Sequence, residues 1–269
     1  MDINKAASAL SVKNLTKKFN GFTAVDGISF DVRWGDIFAF LGPNGAVKTT
    51  TIKMLTTLLT PTSGKILLSG IDPVTHKDDA RKAFGIVFQD PSVDEDLTAY
   101  ENMDFHGVLY GVPKTLRQSR IKELFTLVDL WDKRDVLVKT FSGGMKRRLE
   151  IARGLLHHPK IFFLDEPTLG LDPQTRNTIW EHIKQLNKKE GITVFFTTHY
   201  MEEAQRVAAN VAIIDHGKII TKGTSEQLMK DTKTGNLEDA FLKLTGHAIR
   251  EEEADNLDRM RSRMRMFRR

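Results

Sequence analysis

The chain has 269 residues, of which 40% are hydrophobic and 28% charged, as in ordinary globular proteins. Its formal net charge of +5 arises within residues 256–269, where six arginines accompany a single acid, so residues 1–255 are formally neutral and nucleic-acid binding is not indicated. The sequence has no cysteine, no secretory leader at its start and no apolar run near the roughly 20 residues of a membrane helix, which predicts a cytoplasmic protein without disulfides.

The first part of the chain reads as β structure. Residues 10–15 and 22–32 alternate β-forming and polar side chains, which predicts antiparallel strands. Residues 61–64 predict a turn, and short strands are expected at 66–68 and 86–88.

A phosphate-binding loop is predicted between the first strands and the first helix. The apolar run at 37–41 predicts a buried strand, the sequence GPNGAVKTT follows it, and a helix is expected over 51–59. Main-chain N–H groups of the loop would surround the β-phosphate of a nucleotide, Lys48 would reach the β- and γ-phosphates, and the Thr49 hydroxyl would ligate Mg²⁺. The predicted nucleotide-binding residues of this loop are Gly42, Pro43, Asn44, Gly45, Ala46, Val47, Lys48, Thr49 and Thr50.

Val47 departs from the P-loop pattern G-x-x-x-x-G-K-[ST], which requires glycine before the lysine. Glycine adopts backbone conformations that a β-branched residue resists, at a cost on the order of 1–3 kcal/mol. We therefore expect Val47 to weaken nucleotide binding while leaving the fold intact.

Helices are predicted further along the chain, and the start of one of them forms a second half of the nucleotide site. From Leu97 the pattern is helical, and Thr98 with Glu101 has the spacing of a capping box. Residues 142–144 (Ser-Gly-Gly) begin another helix, whose free N–H groups suit a phosphate.

Two carboxylates follow the apolar run at 161–164, which predicts a buried parallel strand. The strand delivers Asp165 and Glu166 to its carboxyl end, where open α/β sheets bind ligands. There Asp165 would hold Mg²⁺ through water, and Glu166 would polarise the water that attacks the γ-phosphate. A helix is then expected from Pro173 to about Lys189 and a strand over 192–197, with His199 just beyond it.

In this order the motifs resemble the nucleotide-binding subunit of an ABC transporter. They are the P-loop at 42–50, a Q-loop at Gln89, the signature at 142–145, Walker B at 161–166, a D-loop at 170–172 and a switch histidine at His199. The stretches SGGMKRRLEIARGLL, DEPTLGLDPQTR and LEDAFLKLTG look most like the daunorubicin-resistance group of drug-export ATPases. The resemblance implies an α/β fold with a P-loop NTPase core, an antiparallel β subdomain and an α-helical insert. It implies one ABC ATPase domain over 1–246, with the insert at about 90–157, and a charged tail over 247–269.

The resemblance also implies roles for residues outside the P-loop and Walker B. Phe19 would stack on the adenine, Gln89 would contact Mg²⁺ or the attacking water, and His199 would contact the γ-phosphate. Because the signature lies across the helical insert from the P-loop, it would complete the site of a second copy in a head-to-tail dimer. The residues expected at that interface are Ser142, Gly143, Gly144 and Asp172.

The predicted function is ATP hydrolysis that drives export of a drug-like, lipid or glycoconjugate substrate through separate integral membrane permease subunits. The chain would then lie on the inner face of the cell membrane. Two alternatives stay open: a soluble ABC ATPase of translation or DNA maintenance, and a nucleotide-impaired paralogue because of Val47. In the tail, the apolar stripe of Leu257, Met260, Met264 and Phe267 fits either a solvated terminus or a membrane or permease contact.

Overall fold

Two β-sheets organise the chain in the computed structural model, which describes residues 8–43 and 47–246. The predicted charged tail lies outside these residues. The strands are β1 (Leu10–Phe19), β2 (Phe22–Val32), β3 (Ile37–Leu41), β4 (Ser63–Leu68), β5 (Phe84–Val87), β6 (Ile161–Asp165), β7 (Thr193–Thr198), β8 (Asn210–Asp215) and β9 (Lys218–Gly223).

Helices connect many of the strands, and two more follow the last strand. They are α1 (Lys48–Leu55), α2 (Lys77–Ala83), α3 (Ala99–Leu109), α4 (Lys114–Leu127), α5 (Gly143–Gly154), α6 (Pro173–Glu190), α7 (Met201–Val207), α8 (Ser225–Thr232) and α9 (Leu237–Thr245). Between β5 and β6 lie α3, α4 and α5 with two short 3₁₀ turns, which is the segment in which the sequence predicts a helical insert.

The larger sheet has the strand order β5-β6-β7-β3-β8-β9, and all neighbouring strands are parallel except β8 and β9. Every residue of β3 and β6 is buried, as their continuous apolar runs predict for a sheet covered on both faces. Because β5, β6, β7 and β3 are adjacent and parallel, their carboxyl ends meet at one edge.

The smaller sheet is antiparallel, in the order β2-β1-β4, as the alternating pattern predicts. Phenylalanine rings from both sheets form the apolar layer where the two sheets share a core. Phe30 of β2 lies 5.6–5.9 Å between ring centroids from Phe38, Phe40 and Phe195 of the larger sheet. Burial of aromatic rings in this layer therefore stabilises the packing of one sheet on the other.

Local signals predicted the starts of elements better than their ends. The capping box forms: Glu101 N–H donates to Thr98 Oγ1 at 3.1 Å, and Thr98 N–H donates to Glu101 Oε2 at 2.8 Å. Several predicted bounds were wrong, among them those of α1, β1, β4 and β5. Helix α1 ends at Leu55 rather than at 59, because Thr57 turns to a positive φ of 66°. Strand β4 begins inside the predicted turn, at Ser63, because that residue pairs with Thr16 of β1.

Candidate functional site

The carboxyl ends of β3, β6 and β7 bring the sequence motifs together. Strand register places Leu41, the last residue before the P-loop, opposite Thr198, and places Asp165 opposite Thr197. His199 follows β7 directly. Three segments far apart in the sequence thus converge at one sheet edge.

Lys48 lies at the centre of this convergence. Its buried ammonium Nζ donates to the carbonyl of Gly42 at 2.6 Å and to that of Pro43 at 3.3 Å. The same atom lies 3.6 Å from Glu166 Oε1. Lys48 therefore links the P-loop to the carboxylate that follows β6.

Val47 has the backbone conformation that the P-loop pattern reserves for glycine. Its φ of 63° and ψ of 27° lie in the left-handed region, where a β-branched residue is an outlier. Its carbonyl accepts from the N–H of Thr51 at 2.9 Å and begins α1, while its half-buried side chain packs against the apolar cluster beneath the smaller sheet. Residues 44–46, also predicted to bind nucleotide, lie outside the described part of the chain.

Asp165 is 1% exposed, and only one of its two carboxylate oxygens has a hydrogen-bond partner among the described residues. Its Oδ1 accepts from the Thr197 hydroxyl at 2.6 Å, whereas its buried Oδ2 has no hydrogen-bond partner among the described residues. Burial raises the pKa of Asp165 above its ordinary value, although hydrogen bonds from Thr197 and Thr49 oppose that shift. An unpartnered carboxylate oxygen beside a threonine hydroxyl is a donor set that suits a hard divalent cation.

Glu166 is held ionised by two neighbours. Its Oε2 accepts from His199 Nδ1 at 3.2 Å, and its Oε1 faces Lys48. Burial raises the pKa of Glu166, but the His199 hydrogen bond and the Lys48 charge outweigh burial and leave the pKa below its ordinary value. Its φ of 47° is also left-handed, a strained geometry of the kind that clusters at functional sites.

The start of α5 lies against the start of α6. A Cβ on Gly144 would come within 2.7 Å of Thr175 Cγ2, and a Cβ on Gly143 would come within 3.8 Å of Leu171 Cδ2. Ser142 caps α5 by accepting from Met145 N–H at 3.3 Å.

Asp172 caps α6 in the same way, accepting from the N–H of Thr175 at 2.9 Å and from its hydroxyl at 2.6 Å. The Thr175 hydroxyl bond and the backbone bond lower the pKa of Asp172. The predicted signature and D-loop are therefore neighbours.

Two predicted residues from other parts of the chain, Phe19 and Gln89, lie outside the contacts described above. Phe19 ends β1 with 42% of its surface exposed, and Lys17 Nζ lies over its ring at 5.1 Å from the centroid. Gln89 follows β5 and is exposed; its backbone carbonyl accepts from Arg147 at 3.0 Å. The structure thus brings Lys48 and His199 into direct contact with Glu166, and Asp165 precedes Glu166 at the end of β6.

Sequence reasoning missed Thr197, which contacts both carboxylate residues. Besides its bond to Asp165, the Thr197 hydroxyl accepts from the backbone N–H of Glu166 at 3.0 Å. Its position as a polar residue at the end of the apolar strand TVFFTT was the signal available.

Comparisons with known proteins identify the family of the chain. Residues 25–169 match the model of the ABC transporter family. The daunorubicin/doxorubicin resistance ATP-binding protein DrrA of Streptomyces peucetius is 44% identical over 82% of this chain and 66% of its own length. The Nod factor export ATP-binding protein I of Ralstonia nicotianae is 42% identical over 82% of this chain and 68% of its own length. The chain thus spans about two thirds of each relative.

Two solved structures share the fold. The ATP binding subunit of an ABC transporter is 27% identical, with a TM-score of 0.81 over 88% of this chain and 99% of that one. The dimeric bacterial ABC transporter cassette MJ0796 is 26% identical, with a TM-score of 0.73 over 80% of this chain and 98% of that one. Because the family match takes in more than half of the sequence and includes the P-loop, signature and Walker B residues, the chain belongs to the ABC transporter family as one of its ATP-binding, ATP-hydrolysing domains.

Proposed function

We propose that this chain is the ATPase subunit of an exporter and that it turns over ATP at the edge where β3, β6 and β7 end. The observation that carries the proposal is the joint placement of Lys48, Glu166 and His199, with 3.6 Å and 3.2 Å separating their charged and polar atoms. The catalytic unit is the domain over 1–246, with the helical insert at about 90–157.

Phosphate binding falls to the loop over 42–50, and Lys48 supplies its positive charge. In this structure the Lys48 ammonium is held by the carbonyls of Gly42 and Pro43, so it is already directed into the loop. The N–H groups at the start of α1 add a partial positive charge for the phosphates. Phe19 offers its exposed ring to the adenine.

Mg²⁺ would be held by Thr49 and Asp165, with Gln89 as a further ligand. The unpartnered Oδ2 of Asp165 and the neighbouring Thr49 hydroxyl fit this ion. When bound, the ion would neutralise charge on the phosphates.

Glu166 orients the attacking water and accepts its proton. Its carboxylate, paired with Lys48 and His199, is in the ionised form that can accept a proton. His199 fixes one carboxylate oxygen and leaves its other ring nitrogen to contact the γ-phosphate.

A second copy of the chain completes each site. The start of α5 has free N–H groups suited to phosphate. Within the described residues it packs against the start of α6, and no hydrogen bond joins the start of α5 to Glu166. Two chains arranged head to tail would place Ser142, Gly143 and Gly144 of each on the nucleotide of the other. The dimeric state of the similar cassette MJ0796 supports this arrangement. Asp172, capping α6 beside the signature, would lie at the interface.

The membrane path is supplied by separate permease subunits. Among the described residues, no helix combines the length and apolarity needed to cross a bilayer. The insert exposes an apolar patch along one side of α3, formed by Phe105, Val108 and Leu109, of which Leu109 is 68% and Phe105 61% exposed. A patch of this kind marks an interaction surface. We assign it to the permease, which would hold the chain at the inner face of the cell membrane.

The substrate class follows from the relatives. One relative is named for daunorubicin and doxorubicin resistance and another for Nod factor export, so we propose export of a drug-like, lipid or glycoconjugate molecule. Purification of the tagged chain from detergent-solubilised membranes tests the assignment. We expect an integral membrane protein to copurify, and to be lost in the variant Phe105→Glu/Leu109→Glu. Recovery of ribosomes or DNA in its place would favour the soluble ABC class.

A further inference from the structure

The loop that carries Gln89 is fixed to α5 by three charged side chains. This loop, residues 88–92, follows β5; Phe88 packs against the apolar core, whereas residues 89–92 are exposed. Arg147, Glu150 and Arg153 lie three residues apart on α5, which places them along one side of the helix. Hydrogen bonds from these α5 side chains therefore hold the exposed part of the loop in position.

Arg147 holds the part of the loop nearest β5. Arg147 is 7% exposed, and its guanidinium donates from Nη1 to the carbonyl of Phe88 at 2.6 Å and from Nη2 to the carbonyl of Gln89 at 3.0 Å. A planar guanidinium can span two successive carbonyls in this way, whereas a lysine ammonium is a single point charge.

Glu150 and Arg153 hold the far end of the loop at Ser92. Glu150, 2% exposed, accepts from the Ser92 N–H at 2.6 Å and from its hydroxyl at 3.1 Å, and pairs with Arg147 at 3.1 Å. Arg153 donates to the Ser92 carbonyl at 2.8 Å and also bonds its hydroxyl. The buried charges of Arg147 and Glu150 thus neutralise each other, and all three side chains bond to the loop.

We propose that Arg147, Glu150 and Arg153 form a clamp that makes the position of Gln89 follow the orientation of α5. The same helix begins at Ser142, which under the proposed function contacts the nucleotide of the second copy. A change in how that nucleotide engages the start of α5 would therefore move the Gln89 loop of the same chain. These three side chains are positioning residues. The effect of the nucleotide on the Gln89 loop rests on the proposed roles of Ser142 and Gln89.

Hydrogen exchange tests the clamp independently of catalysis. Removing Arg147 alone would leave Glu150 buried without its counter-charge, so the variant to use is the neutral pair Arg147→Met/Glu150→Gln. We expect amide exchange of residues 88–92 to quicken at least tenfold in this variant, with the rest of the larger sheet unchanged. Unchanged exchange over 88–92 would overturn the clamp.

A second buried arginine supplies the matched control. Arg120 on α4 donates to Glu190 Oε1 and Oε2 at 2.7 and 2.8 Å, away from the Gln89 loop. The pair Arg120→Met/Glu190→Gln removes a comparable charge pair, and exchange over 88–92 should stay at its original rate. An equal rise in both pair variants would show general loosening and would also overturn the clamp.

Coupling to Gln89 is tested by a double-mutant cycle on kcat. If the clamp acts through Gln89, adding Gln89→Ala to Arg147→Met/Glu150→Gln should lower kcat by less than twofold further, whereas adding it to the Arg120 pair should give the full effect of Gln89→Ala. Independent, multiplicative losses in the clamp variant would overturn the coupling. An unaltered chain that hydrolyses no ATP would instead contradict the proposed function, and the exchange rates would still decide the clamp.

Discussion

The backbone at Val47 shows how one side chain can conflict with the loop that carries it. Its φ of 63° is accessible to glycine at little cost, but costs a non-glycine residue on the order of 1–3 kcal/mol. The chain accepts this conformation because the Val47 carbonyl starts α1 and because its side chain packs on apolar neighbours. The sequence motif alone predicted the conflict, since the P-loop pattern specifies a glycine at this position.

Replacing Val47 by glycine should therefore improve ATP binding. Val47→Gly removes both the strain and the branched side chain beside the phosphates. If the strain is about 1.4–3 kcal/mol, we expect its relief to make binding of ATP·Mg²⁺ roughly tenfold to a hundredfold tighter. Val47→Ala keeps a Cβ but loses the branch, so its affinity should lie between the two. Calorimetric titration of the three proteins gives the comparison. Equal affinity and equal hydrolysis would show that the loop accommodates valine without strain, which would remove the support for an impaired paralogue.

Residues whose positions at the site follow from local sequence patterns were predictable, and residues placed there by long-range pairing were not. Lys48, Asp165 and Glu166 follow buried strands in recognisable motifs, so their meeting at one sheet edge followed from parallel topology. Thr197 acts on Asp165 across 32 residues, and only the register of β6 on β7 places it there. Arg147 reads as one more charge on a basic helix until its carbonyl partners are known.

At the scale of elements, apolar runs and start signals predicted most of the strands and helices that form the site. Strand β3 has the predicted limits, and β6 and α6 each extend one residue beyond theirs. The bounds of the later elements β8, β9 and α7 to α9 were not predicted, because their signals are short and β9 owes its place to pairing with β8. Some boundaries of elements depended on tertiary contacts, as at Ser63, where pairing with Thr16 begins β4.

The contact between α5 and α6 makes a further prediction at this scale. A Cβ at position 144 would overlap Thr175 Cγ2, and Thr175 cannot rotate freely because its hydroxyl donates to Asp172 at 2.6 Å. We expect Gly144→Ala to lower the free energy of unfolding by about 1–3 kcal/mol, as overpacking does. Chemical denaturation of the nucleotide-free protein measures the change.

Gly143→Ala is the matched control for that prediction. Its Cβ would lie at an ordinary 3.8 Å from Leu171, and alanine favours a helix over glycine by up to about 1 kcal/mol. The control should therefore keep or slightly raise stability. Equal losses in both variants would mean that the two glycines are required by the start of the helix itself rather than by the contact with α6.

At the scale of the whole molecule, the arrangement of half-sites favours a dimer that forms around nucleotide. The P-loop and Walker B residues meet at the edge of the larger sheet, whereas the signature is packed against the D-loop at the start of α6. A phosphate bound by both halves therefore needs two chains. Hydrolysis at Glu166 would release the dimer, and the exposed patch on the insert would pass that motion to the permease.

The most direct test of this account is the oligomeric state of Glu166→Gln with ATP. Glutamine keeps the shape of the side chain but cannot accept a proton from water, so bound ATP should persist and hold the dimer together. Light scattering should give twice the mass of the chain when ATP and Mg²⁺ are present and the monomer mass when they are absent. The variant Glu166→Gln/Ser142→Arg should remain monomeric, because it blocks the signature end of α5. A Glu166→Gln protein that binds ATP and yet stays monomeric would contradict the composite site.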